Sequence, residues 1–291
     1  MRAAVVGSGI AGLSAAWLLS RDHEVTLFEL HGRLGMDAHA VKVGQGDGAC
    51  FIDVPMRVVY EGYYPNLTRM YRDVGVQLEP LEYSGTFSHL GGDTYLSYRN
   101  VRLGRLAIPA LKGRRALRLK TVKIVADMVR FAATASRHLR SGAALGMTLE
   151  TYLEKEKYTK AFTTDFLLPT MAGICTCSYQ AVRAYPAPVV LGYFARGLFF
   201  SPVHRAVQGT ADVVARLTRG VAHIRLGTPV TEVSQDEAGS VRVVSSAGRE
   251  TFDHVVMGTQ ANQTLRILKG AQTRELQALE SFRYELSLIH I

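Results

Sequence analysis

The apolar positions near the N-terminus fall in two short runs separated by a helical stretch. Residues 2–6, RAAVV, are a continuous apolar run of strand length after Arg2. Leu13, Ala16, Trp17 and Leu19 then recur at helical spacing, and EVTLFE forms a second strand-like run ending in Glu29. Continuous rather than alternating runs predict strands buried on both faces, as in a parallel sheet covered by helices.

Later segments read differently. Val241 with Val243, and Val255 with Met257, alternate with polar residues, and turn residues lie at Glu237–Gly239 and Ala247–Gly248. These predict short strands joined by tight turns. Between the two β-rich ends the pattern is helical. Over residues 117–141 a polar stripe comprises Lys120, Lys123, Asp127, Arg130, Thr134, Arg137 and Ser141. Ile124, Val125, Met128, Phe131, Ala132, Ala135 and Leu139 lie off it, which predicts an amphipathic helix. MTLETYLEKEKYTKAFTTDFLLPTMAGI is helical with Thr148 as N-cap, and Pro169, Pro186 and Pro188 are expected to interrupt it. QGTADVVARLTRGV opens a further helix. The expected fold is α/β: a Rossmann-like domain with a parallel sheet and helices, interrupted by a mainly helical α+β domain. The expected boundaries are 1–85 with 205–291 for the first and 86–204 for the second.

The junction of the first strand and helix carries Gly7-Ser8-Gly9-Ile10-Ala11-Gly12, a G-x-G-x-x-G turn. A charged start before an apolar run could also suggest a secretory signal, but strand, turn, helix, strand and acid in register answer better to a nucleotide site. Gly7 permits the tight turn, Gly9 lets a diphosphate approach the backbone, and Gly12 lets the helix pack against the sheet. Ile10 and Ala11 open the helix, whose free N–H groups and partial positive charge suit a phosphate. Glu29 can accept hydrogen bonds from ribose hydroxyls and would repel a 2′-phosphate, which disfavours NADP.

Charge adds one feature. Lys and Arg number 34 against 25 Asp and Glu, a net +9. From Arg99 to Arg140 there are twelve cations (Arg99, Arg102, Arg105, Lys112, Arg114, Arg115, Arg118, Lys120, Lys123, Arg130, Arg137, Arg140) against Asp127 alone. Two readings follow: a surface helix packed on its apolar side, or a basic amphipathic element resting on anionic lipid. No nucleic-acid-reading module accompanies the charge. Cys50, Cys175 and Cys177 do not form a metal-ligand or disulfide pattern, which points to a reducing, cytoplasmic setting, with peripheral membrane contact as the variant. PVVLGYFARGLFF is interrupted by Arg196, so it reads as core rather than a membrane span.

The segment after Glu29, FELHGRLGM, carries Arg33 and Gly35. It resembles the extended FAD fingerprint of the flavin amine oxidase and phytoene desaturase superfamily, with Met36 where a second glycine is usual. YYPNLTRMYRDVGV, LPTMAGICTCSYQAVRAYPAPVVLGYF and FDHVVMGTQANQTLRIL resemble, within it, a group of predicted NAD/FAD-binding oxidoreductases that accompany cyclopropane-fatty-acid-synthase-like methyltransferases. The resemblance implies FAD as cofactor. Arg33 would contact its diphosphate, the backbone at Val230 would meet its adenine, and the FDHVVMGT strand would end near the dinucleotide. The stretch FIDVPMRVVYEGYYPNL would run past the flavin, making Asp53, Pro55, Met56, Arg57 and Tyr60 flavin-facing candidates, with Tyr63 and Tyr64 beside them. Because flavin performs the hard chemistry itself, no triad or metal cluster is required, and the residues single out no catalytic group. His39, His89 and His204 are candidate acids or bases by residue type, without surroundings that favour one of them. The substrate implied is a small organic molecule or lipid, a fatty-acyl chain or alternatively an amine. An NAD-dependent dehydrogenase, and a non-catalytic basic lipid-surface protein with a vestigial nucleotide fold, are the rival readings. The superfamily continues past residue 291 to a further glycine-rich FAD segment, so a C-terminally truncated product is expected, the ending LSLIHI resembling translated adapter sequence.

Overall fold

The computed structural model describes residues 1–35, 40–46, 50–53, 57–81, 84–103, 106–111, 118–195 and 203–284. In chain order the elements are β1 (Arg2–Val6), α1 (Ile10–Leu19), β2 (Glu24–Phe28), β3 (Ala40–Val43), β4 (Cys50–Asp53), α2 (Pro65–Asp73), β5 (Leu78–Leu81), β6 (Ser84–Ser88), β7 (Thr94–Leu103) and β8 (Leu106–Leu111). There follow α3 (Leu119–Ser141), α4 (Leu149–Lys155), α5 (Lys160–Phe162), a π-helical turn (Thr163–Leu167), α6 (Leu168–Cys175), α7 (Tyr179–Ala184) and α8 (Ala187–Ala195). The chain closes with β9 (Val203–Ala206), α9 (Gly209–Leu217), β10 (His223–Arg225), β11 (Val230–Gln235), β12 (Val241–Ser245), β13 (Gly248–Phe252), β14 (His254–Met257), α10 (Ala261–Ile267) and α11 (Thr273–Glu280). Two compact units result. The first comprises Met1–Val58, Asn66–Glu79 and Arg205–Arg283; the second comprises Val59–Pro65, Pro80–His204 and Tyr284–Ile291.

The first unit is Rossmann-like. Its parallel sheet has the order β10-β2-β1-β14, with Ala3 to Val6 registered against Val25 to Phe28 on one side and His254 to Met257 on the other. Ala4, Val5, Val25 and Leu27 are fully buried, as the continuous apolar runs require. Helix α1 covers one face through Leu13 and Ala16, and α9 packs beside it. An antiparallel sheet, β11-β12-β13, adds Val233, Val241, Val243 and Phe252 to a cluster with Ala4, Val6 and Phe28. There the predicted alternation holds: Val241, Val243 and Ser245 are buried while Arg242 is exposed.

The second unit is mainly helical, with the antiparallel sheet β6-β7-β8. Phe131 of α3 centres its core, with ring centroids of Phe194, Tyr158, Phe162 and Tyr152 at 4.8, 5.4, 5.6 and 6.2 Å. Thr148 caps α4 as expected, its side chain accepting from the Thr151 N–H at 3.2 Å.

Two expectations about this unit are revised. Pro169 does not end the helical run, which continues from Lys160 to Cys175. Proline has no N–H to donate to the carbonyl of Asp165, four residues back. The helix widens instead into a π turn, with the Leu168 N–H donating to the Thr163 carbonyl, and the Asp165 carbonyl accepts from the Tyr95 hydroxyl at 2.7 Å. The polar stripe of α3 is only partly its outer face: Lys123, Arg130 and Arg137 are exposed and Ile124, Met128, Phe131 and Ala135 are buried, as expected, but two members of the stripe turn inward. Asp127 is buried, accepting from the Thr159 N–H at 2.8 Å, and Lys120 pairs with Asp165 at 2.9 Å. These two side chains bond inward, while Leu119, Val122 and Val129, outside the expected apolar set, face solvent.

Candidate functional site

The turn between β1 and α1 is built by close backbone packing. Gly7 leaves the strand at φ +93°, a conformation that disfavours side chains. A Cβ on Gly12 would lie 1.8 Å from the Gly7 carbonyl oxygen, and one on Gly258 would lie 2.7 Å from the Gly12 Cα. The first helix, the turn and the segment after β14 therefore meet with no room for a methyl group. A Cβ on Gly35 would lie 2.7 Å from the Ser8 carbonyl oxygen, so this loop too closes on the turn.

Gly9 is different. Its φ is −63°, an ordinary value, and a Cβ there would meet nothing closer than the Gly258 carbonyl oxygen at 3.9 Å. Neither conformation nor packing within the protein requires glycine at this position. Gly9 is also the N-cap of α1 and offers no side-chain cap. The first intrahelical bond runs from the Leu13 N–H to the Gly9 carbonyl at 2.9 Å. The N–H groups before it lack helical partners, and the helix adds a partial positive charge at the same point.

Glu29 follows β2 and is 6% exposed. One carboxylate oxygen accepts from the Ser8 N–H at 3.0 Å and from the Ser8 hydroxyl. The other accepts from the His31 N–H at 2.9 Å, and the Ser8 hydroxyl oxygen accepts in turn from the Gly35 N–H at 2.6 Å. A carboxylate offers about four acceptor directions, so this latch leaves about one for a ligand hydroxyl.

Gly7, Gly9, Glu29, Gly35 and Val230 line one cleft of about 440 Å³, within the usual size for small-molecule and cofactor sites. Val6, Phe28, Pro229 and Ile267 supply apolar wall, and Gln260, Gln263 and Arg266 supply polar wall. Gly12 is buried beneath the turn rather than on the wall; Ile10 and Ala11 begin the helix and are exposed. Arg33 is exposed and does not line the cleft.

Ser8, Gly258 and Arg266 were not read as site residues from the sequence. Gly258 had a visible signal, a glycine directly after the apolar run VVM. Ser8 and Arg266 had none, since a serine inside a glycine turn and an arginine on a short helix are common. The uncapped helix start, the side-chain-free wall at Gly9 and the carboxylate on the wall together fit an adenine dinucleotide.

The flavin-facing candidates separate. Pro55 and Met56, like Met36 and His39, lie outside the described residues. Asp53 accepts from the Thr210 N–H at 3.2 Å and from the Thr210 hydroxyl, capping the start of α9 beside Gly209 at φ +72°. Arg57 is exposed, and its charge reaches Tyr71, whose hydroxyl is pushed up chiefly by burial with Arg57 opposing. Tyr60 belongs to the second unit and is buried in a tyrosine cluster, its ring 5.9 Å from both Tyr63 and Tyr64. Tyr63 stacks on Tyr193 at 4.0 Å, and burial, then contact with Tyr63 and Tyr64, pushes the Tyr193 hydroxyl well up. His89 sits 4.6 Å from the Tyr95 ring, and the backbone of His204 bridges to Val59.

Residues 5–74 match the model of the NAD(P)-binding Rossmann-like domain. The first unit has the Rossmann-like fold that this model describes. Among solved structures, putrescine oxidase bound to putrescine is similar at 17% identity and TM-score 0.65, and the CLA-producing fatty acid isomerase from P. acnes at 16% and 0.67. In both cases 96% of this chain is covered and it spans 63% of the other. An oxidoreductase from Methanosarcina mazei is similar at 13% identity and TM-score 0.63, with 97% and 66% covered. At such identities the likeness shows a shared fold. No curated protein matches the chain in sequence.

Proposed function

We propose that the chain carries the nucleotide-binding part of an FAD-dependent oxidoreductase of the amine oxidase and desaturase type. The observation that supports this most is the α1 start, uncapped at Gly9 and opening on a cleft with a buried carboxylate in its wall. In this reading the free N–H groups of the first turn hold the diphosphate, and Glu29, latched by Ser8 and His31, accepts a ribose hydroxyl. The wall around Val230 receives the adenine, and Arg266 adds a positive charge at the rim. When bound, FAD supplies the redox chemistry, taking hydride equivalents from an organic substrate or shifting a double bond.

A lipid or fatty-acyl substrate draws on the likeness to the fatty acid isomerase, and an amine on the likeness to putrescine oxidase. The match to an NAD(P)-binding model supports a rival, an NAD-dependent dehydrogenase.

Titrating the purified protein with FAD, NAD and NADP in separate cells, followed by intrinsic fluorescence and absorbance, tests the proposal. FAD is expected to bind in preference to both. Glu29→Gln is expected to weaken FAD by about tenfold, the scale of one hydrogen bond to a charged group. Tight binding of NAD with none of FAD would replace the proposal with the dehydrogenase.

A further inference from the structure

Helix α3 presents a face to solvent that the rest of the second unit does not cover. Leu119, Val122 and Val129 are 70%, 52% and 55% exposed, and Ala126 and Ala133 are exposed between and after them. These five positions advance by three, four, three and four residues, so they form one straight aliphatic line along the helix. Lys123, Arg130 and Arg137 recur every seven residues beside it, Arg118 stands on its other flank at the N-terminal end, and Arg140 ends the line at the C-terminal end.

Most of these cations are unengaged. Arg130 is held by Asp127 at 3.3 Å and lies over the Tyr158 ring at 4.0 Å. The side chains of Arg118, Lys123, Arg137 and Arg140 make no ion pair or hydrogen bond among the described residues. The sole acid of the helix, Asp127, is buried, so the outer face carries no carboxylate. Long basic side chains beside short exposed aliphatic ones match an interface where carbon is taken in and charge stays at the rim.

We propose that this face of α3 docks on an anionic lipid surface. A second copy of the chain would place cations against cations along the same line, which argues against self-pairing. The aliphatic side chains are short and stand on one convex helix, without a pocket to select a partner's side chains, whereas a diffuse negative surface needs none. The proposal is independent of the nucleotide cleft, and its failure leaves that reading untouched.

Co-sedimentation of the whole chain with vesicles tests it. Vesicles of phosphatidylcholine and phosphatidylglycerol are expected to carry the protein down at low salt; phosphatidylcholine alone is not, and added salt is expected to release it. Lys123→Glu with Arg137→Glu is expected to lower partitioning by about 25-fold or more, from roughly fivefold per cation at a charged membrane. Val122→Asp with Val129→Asp should do so with the charges intact. Both pairs are on exposed positions, and circular dichroism checks that each variant keeps its helix content. Equal sedimentation with and without phosphatidylglycerol, or unchanged binding by both folded double variants, would overturn the proposal. So would absence of vesicle binding together with self-association, or with binding of an acidic helical peptide, that Val122→Asp removes.

Discussion

The cleft of the first unit and the core of the second are specified by different kinds of atom. Around the cleft the decisive contacts are backbone to backbone: Gly12 on Gly7, Gly258 on Gly12, Gly35 on Ser8. In the second unit they are ring to ring, with Phe131 among Phe194, Tyr158, Phe162 and Tyr152. Backbone contacts tolerate one residue type at fixed spacing, so they leave a motif. Ring contacts can be met by many apolar combinations of the right volume, so they leave only a periodicity. The first kind of construction therefore announces its purpose in the sequence, and the second announces only that a helix is present.

Substitutions can separate the two modes of construction. The largest effect is expected from Phe131→Ala, which empties the centre of the aromatic core and should cost about 3–5 kcal/mol in chemical denaturation. Hydrogen exchange should show the loss of protection concentrated in α3, α5 and α8. Gly12→Ala comes next. Its added methyl falls 1.8 Å from a carbonyl oxygen, and the expected loss is about 3 kcal/mol, with exchange rising in β1 and α1. A mild effect of Gly12→Ala would mean that the turn can relax and that the backbone contact is not decisive. Thr148→Ala removes the cap of α4 and is expected to cost about 1 kcal/mol in the same denaturation assay.

Much of the first unit was legible in the sequence. Residues 2–6 and 24–29 read as strands because both faces of the sheet are covered, and Val241 with Val243 read as a strand because one face is. Glu29 and the glycine turn stood out because a phosphate-binding turn and a ribose-binding acid need those residue types at that distance. Other features were not legible because they depend on partners far along the chain. Asp53 accepts hydrogen bonds from Thr210, 157 residues later in the chain, at the start of α9. The inward turn of Lys120 and Asp127 on α3 depends on Asp165 and Thr159, which the helix's own periodicity does not encode. Pro169 looked like a helix breaker because its missing N–H was visible, while the Tyr95 hydroxyl that satisfies the stranded carbonyl was not.

Position 9 offers the sharpest test, because there the protein's own packing makes no demand for glycine. Gly9→Ala should leave the denaturation midpoint nearly unchanged, since its Cβ meets nothing closer than an ordinary van der Waals contact at 3.9 Å. Gly9→Val adds bulk toward the cleft. It should lower FAD affinity by at least about a hundredfold, by standing where the diphosphate must approach the uncapped helix. A folded Gly9→Val protein that binds FAD as tightly as the parent would contradict the account.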